Sequence, residues 1–137
     1  MPSRGGARLE RNIRVETLEL ARRIADLCDE KLTHDVVVLD LQDVSILCDY
    51  FVLASAPTRV QTREVARNID GMLSAEGLQP KSIQGMREGA WILLDYGVVV
   101  VHLFMDRERE FYDLEGLWRE APVVYRPAPQ PAPGSRR

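Results

Sequence analysis

The sequence predicts an α/β fold, a mixed sheet of about five strands flanked by helices. Three observations carry that expectation. Apolar residues switch between helical periodicity and short strand-like runs, in the order helix, two strands, helix, three strands, helix. The run Val98–Val101 is apolar on both sides of a strand, which puts it centrally in a sheet with cover above and below. A chain of 137 residues, 45% of them hydrophobic, can also bury one core without metals or disulfides.

From about Glu16 to Leu32, the residues Leu20, Ala21, Ile24, Leu27 and Cys28 share one helical arc, with charged residues outside it. Asp35–Leu41 and Tyr50–Ser55 read as strands joined by a polar link, Gln42–Asp49. Ser55-Ala56-Pro57 breaks the second strand, and Thr58 with Gln61 has the form of a capping box that opens a second helix. Val65, Ala66, Ile69, Met72 and Leu73 give that helix its core stripe, and Gly77 supplies the left-handed residue that ends it. Lys81–Met86, Trp91–Tyr96 and Val98–Phe104 follow as strands, with Arg87–Ala90 as a turn. In a last helix, Asp106–Trp118, the residues Phe111, Leu114, Leu117 and Trp118 form an arc able to pack on the sheet, and Tyr112 is read with them as core. The expected organisation is a flexible arm over residues 1–14, one domain over 15–121 and a flexible proline-rich tail over 122–137.

Composition excludes several functions. Cys28 and Cys48 are too far apart for a C-x-x-C pair and lack a histidine spaced to complete a zinc site, so buried thiols in a reducing compartment are expected. No run approaches the roughly 18 apolar residues of a membrane helix, and no apolar segment follows a positive N-terminus, so the chain reads as soluble, unexported and cytoplasmic. Arg4, Arg8, Arg11 and Arg14 resemble a transit peptide only weakly, since no amphipathic apolar face accompanies them. A net charge of −3 disfavours a general phosphate-backbone binder or sequence-specific nucleic-acid binding and favours a basic protein partner.

Three blocks then carry a resemblance: Asp49-Tyr50-Phe51-Val52-Leu53-Ala54-Ser55; Trp91-Ile92-Leu93-Leu94-Asp95-Tyr96-Gly97 leading into Val99-Val100-Val101-His102-Leu103-Phe104; and Phe111-Tyr112-Asp113-Leu114-Glu115-Gly116-Leu117-Trp118. In order and spacing, over roughly Val15 to Glu120, they resemble the ribosomal silencing factor (Iojap) family. The resemblance implies a mixed sheet flanked by helices, similar to nucleotidyltransferase folds but used as a binding surface. It also implies a partner, ribosomal protein L-fourteen of the large subunit, occlusion of the small subunit as the mechanism, and a plausible homodimer off the ribosome. Two positions depart from the family pattern: Val98 stands where an aspartate usually follows the Asp-Tyr-Gly turn, and Ala56-Pro57 where a glycine usually follows the Ala-Ser pair.

The rival reading, a nucleotidyltransferase-like enzyme that binds nucleotide, needs a Gly-Ser turn for phosphates and two carboxylates alternating on one strand for magnesium. The turn here is Ser55-Ala56-Pro57-Thr58, and Asp106, Glu108 and Glu110 fall in or before a helix, where a solvated face is the favoured reading. The helix start at Thr58 and Arg59 is an ordinary cap before it is an anion site. His34 and His102 are too few for a metal site, and no nucleophile is placed beside either. No enzyme activity, cofactor or metal is therefore expected. If alternation holds, Trp91, Leu93 and Asp95 share one strand face, as do Val100, His102 and Phe104. Trp91 is equally an exposed aromatic anchor or a core tryptophan. For His102 periodicity favours the core, whereas the resemblance favours docking. The expected partner-binding set is Asp49, Tyr50, Trp91, Leu93, Asp95, His102 and Phe104.

Overall fold

The computed structural model describes residues 4–31 and 33–128. Among these residues six strands and four helices follow in the order α1 (Arg4–Glu30), β1 (His34–Asp40), β2 (Tyr50–Ala56), α2 (Arg59–Ala75), β3 (Ser82–Gln84), β4 (Trp91–Asp95), β5 (Val99–Met105), α3 (Asp106–Tyr112), α4 (Leu114–Leu117) and β6 (Val123–Tyr125). The sheet order is β3-β4-β5-β2-β1-β6, with β2 and β5 parallel and every other pair antiparallel. This is the mixed α/β sheet that the sequence predicts, with one strand more.

α1 and α2 lie together on one face. Ala21, Ile24, Ala25, Leu27 and Cys28 of α1 and Val65, Ala66, Ile69 and Leu73 of α2 close over Val38, Val52, Val101 and Ile92. Each fully buried aliphatic side chain there contributes about 1.5–3 kcal/mol. α1 is longer than its apolar periodicity indicates. It starts at Arg4 where about Glu16 was expected, so most of the arm expected to be flexible is helical backbone. Extending a formed helix adds a hydrogen bond for each residue fixed, and Ala7-Arg8-Leu9-Glu10-Arg11 are good helix formers.

Thr58 caps α2 as expected: Gln61 N–H donates to its Oγ1 at 3.2 Å, and the hydroxyl in turn donates to Gln61 Oε1 at 2.9 Å. Thr58→Ala is expected to cost about 1 kcal/mol in urea denaturation; an unchanged midpoint would show that the cap contributes nothing. The helix closes with Leu78 N–H on Leu73 O and Gly77 N–H on Ser74 O, Gly77 having φ +88°. Met72, expected in its stripe, is 41% exposed.

Two expectations at the C-terminal end need correction. The helix expected over Asp106–Trp118 breaks at Asp113, which adopts left-handed φ/ψ and caps α4 by accepting from Gly116 N–H. The break shifts the helical phase, so Leu114 packs on the sheet while Phe111, Tyr112 and Leu117 are exposed. The tail expected to be flexible from Pro122 instead supplies β6. Pro122 and Pro127 flank Val123–Tyr125 without interrupting it, Asp40 N–H bonds Pro122 O, and Tyr125 O–H donates to Asp26 at 2.6 Å beneath the Arg22 guanidinium. Residues 129–137 of that tail lie outside the described residues.

Candidate functional site

Alternation holds along the sheet, and it sorts the second face into columns. Cross-strand pairs are Trp91↔Phe104, Leu93↔His102 and Asp95↔Val100 between β4 and β5, continuing as Phe51↔Val100 and Leu53↔His102 between β2 and β5. α3 and α4 cover only part of this face: Leu114 joins Val37, Leu39, Leu53 and Phe104 in a second, smaller core. The remainder is an open groove of about 820 Å³. Its floor is Phe51, Leu93, Val100 and His102, and Trp118 stands against Phe51 at 5.8 Å between ring centres. One lip is the β1–β2 loop with Ile46 and Leu47, 101% and 82% exposed. Lys81 and Gln84 border it from the β3 side, and Asp49 and Asp95 supply carboxylates.

Backbone devices hold these groups. Gly97 N–H donates to Asp95 Oδ1 at 2.7 Å, which fixes the carboxylate against the β4–β5 turn, and Gly97 takes φ +85°. Asp49 N–H bonds Val98 O, tying the loop to the same turn. Gly85, at φ +83°, sits so close to Trp91 O that a Cβ would fall 2.0 Å from it, so the β3–β4 turn tolerates no side chain there.

The aromatic centre is Trp91, half-buried between Phe104 at 5.0 Å and Tyr112 at 4.7 Å, its indole N–H donating to His102 Nδ1 at 3.1 Å. His102 is 4% exposed, and burial pushes its pKa down to about 4, so the imidazole is neutral. Its Nε2 has no hydrogen-bond partner among the described residues. The Cys48 thiol, at the groove wall, is raised to about 11 by burial and then by Asp49 and Asp95, which leaves it an unreactive thiol.

Of the expected residues, Asp49, Leu93, Asp95 and His102 come together in the groove, and Trp91 buttresses His102 from the side. Phe104 is fully buried beneath Trp91, and Tyr50 points into the core under α1 with its hydroxyl bonded by Gln42. Both belong to the scaffold. Sequence reasoning missed Phe51, which alternation along Tyr50–Ser55 places opposite to Tyr50, and Ile46-Leu47, an apolar pair inside a link read as polar. It also missed Arg109, a buried guanidinium that donates to Ser55 Oγ and Asp35 O at 2.7 Å and to both Glu115 oxygens at 2.9 Å. Among the described residues no three His, Cys, Asp or Glu side chains are grouped to hold a metal, and no helix is long and apolar enough to cross a membrane.

The family model described as "Ribosomal silencing factor during starvation" matches residues 14–136. The chain is similar to ribosomal silencing factor RsfS of Bacillus subtilis, 38% identical over 100 residues that cover 73% of this chain and 85% of that one. It is also similar to the chloroplastic protein Iojap of Arabidopsis thaliana, 29% identical over 82% of this chain and 47% of that one. A crystal structure of a protein from Bacillus halodurans superposes with a TM-score of 0.68 at 32% identity, covering 80% of this chain and 97% of the other.

Proposed function

Since the chain belongs to the ribosomal silencing factor family, whose members are ribosome-associated regulators and not enzymes, we propose that it represses translation by docking its sheet groove onto the large ribosomal subunit. In this reading the partner is ribosomal protein L-fourteen, and the bound factor occupies space that the small subunit needs. No bond is made or broken. The observation that carries the reading is the uncovered part of the second sheet face, where exposed Ile46 and Leu47 and half-buried Phe51 meet the carboxylates of Asp49 and Asp95. Apolar anchors flanked by acid suit a basic protein surface. Off the ribosome the same groove is available to a second copy, so free protein is a candidate homodimer. The cytoplasm, where ribosomes work, is the proposed location.

The test is co-sedimentation with purified large subunits, scored also for loss of subunit joining. Folded protein that stays in the supernatant would sink the reading. Asp95→Asn, which keeps the oxygen that receives Gly97 N–H but removes the charge, is expected to weaken binding a few-fold, and Asp95→Arg about tenfold. Unchanged affinity in both would remove Asp95 from the contact.

A further inference from the structure

We propose that His102 reads the docked segment, its Nε2–H donating to a main-chain carbonyl oxygen of an apolar stretch flanked by Lys or Arg, with Trp91 as the positioning residue that keeps the proton on Nε2. The inference rests on the docking reading above and specifies what the groove recognises.

The tautomer follows from hydrogen-bond chemistry. An indole N–H only donates, so His102 Nδ1, 3.1 Å from Trp91 Nε1, is the acceptor and carries no proton. A neutral imidazole then carries its proton on Nε2. That nitrogen is buried and, among the described residues, without a partner, in a side chain that is itself 4% exposed and lines the groove. A buried donor left unmade carries its desolvation penalty unrelieved, which an entering acceptor recovers. In an imidazole Nε2 lies further along the side chain from the backbone than Nδ1. The ring's nearest aromatic neighbour is Phe51, edge-on at 4.5 Å and itself half-buried at the floor of the groove.

Charge selects the acceptor. Two carboxylates, Asp49 and Asp95, line the groove against one ammonium, Lys81, so an incoming carboxylate is repelled while a neutral carbonyl is not. The same balance favours basic flanks on the segment that brings the carbonyl. Desolvation holds His102 uncharged, which makes it a reader of neutral acceptors throughout the physiological range.

The experiment pairs nitrogen-15 NMR of the imidazoles in the free protein with co-sedimentation on purified large subunits. His102 is expected to show a protonated Nε2 and an unprotonated Nδ1 in the wild type, and a mixture of tautomers in Trp91→Phe. Binding is expected to fall about tenfold in His102→Phe, to return to within about twofold of wild type in His102→Gln, whose amide both accepts and donates, and to fall a few-fold in Trp91→Phe. A proton on Nδ1 in the wild type, or wild-type affinity in a folded His102→Phe, overturns the proposal. Should His102→Phe not fold, wild-type affinity in Trp91→Phe with mixed tautomers overturns it equally. If wild type and Asp95 variants behave as predicted and only the His102 series is flat, this inference falls alone. If wild-type protein fails to bind large subunits, the docking reading falls and this one with it.

Discussion

Arg109→Ala is expected to lower the free energy of unfolding by about 3 kcal/mol in urea denaturation, more than any surface substitution. The guanidinium is 8% exposed and joins three parts of the fold: Ser55 at the end of β2, the carbonyl of Asp35 at the start of β1, and Glu115 in α4. Removing it strands the buried Ser55 hydroxyl, at about 1 kcal/mol or more, and the part-buried Asp35 carbonyl, and leaves the carboxylate without its fork of donors. Glu115 keeps 40% of its side-chain surface in water, which holds the loss near the lower end of the range for broken buried pairs. For the same reason Glu115→Gln is expected to cost only about 1 kcal/mol. Arg109→Ala should also loosen the wall of the groove. α3 carries Tyr112 against Trp91, and α4 leads to Trp118 against Phe51, so altered tryptophan fluorescence is expected in the folded variant. A stability loss under about 1 kcal/mol would show that the network is dispensable.

That network also marks the limit of what periodicity can reveal. Strands β1 to β5 and the stripe of α1 were legible because apolar side chains recur at the spacing of the element that buries them: Ile24, Cys28, Val52, Ile92 and Val101 all lie in the core where the pattern puts them. Alternation also grouped Trp91 with Leu93 and Asp95, and Val100 with His102 and Phe104, and the β4–β5 register then sets the two groups opposite each other. It left open which face is covered, since that depends on where helices far along the chain return. Phe104 and Tyr50 were drawn into the candidate site on that account: one lies under Trp91, the other faces α1. Arg109 carried no signal at all. It sits among Asp106, Arg107, Glu108 and Glu110, a run that reads as a solvated face, and only the left-handed turn at Asp113 brings Glu115 back to meet it. The same turn undid the apolar arc from Phe111 to Trp118, because one residue outside helical φ/ψ resets the phase of everything after it.

Fold and site are coupled through one further group. Acidification from about pH 7.5 to about pH 5.5 is expected to cost the wild type roughly 1.4 kcal/mol of stability through His102 alone. In the unfolded chain an imidazole has its ordinary value of 6.5, whereas in the fold burial pushes His102 down to about 4. The native state therefore refuses a proton that the unfolded state accepts. Stability from the neutral imidazole is complete above about pH 6.5, declines as the pH falls, and is lost once the pH passes through about 4, for a full span of about 3 kcal/mol. Glu115, lowered chiefly by its hydrogen bond from Arg109, follows the same sign but acts only below the ordinary carboxylate range, so the upper window isolates the histidine. His102→Gln has nothing to titrate at this position, and every other group is common to both proteins, so the difference between them reports position 102. The measurement is urea denaturation of both proteins at the two pH values. Parallel losses would place His102 in water-accessible surroundings in solution, and with that its role as a neutral donor at the floor of the groove would fail.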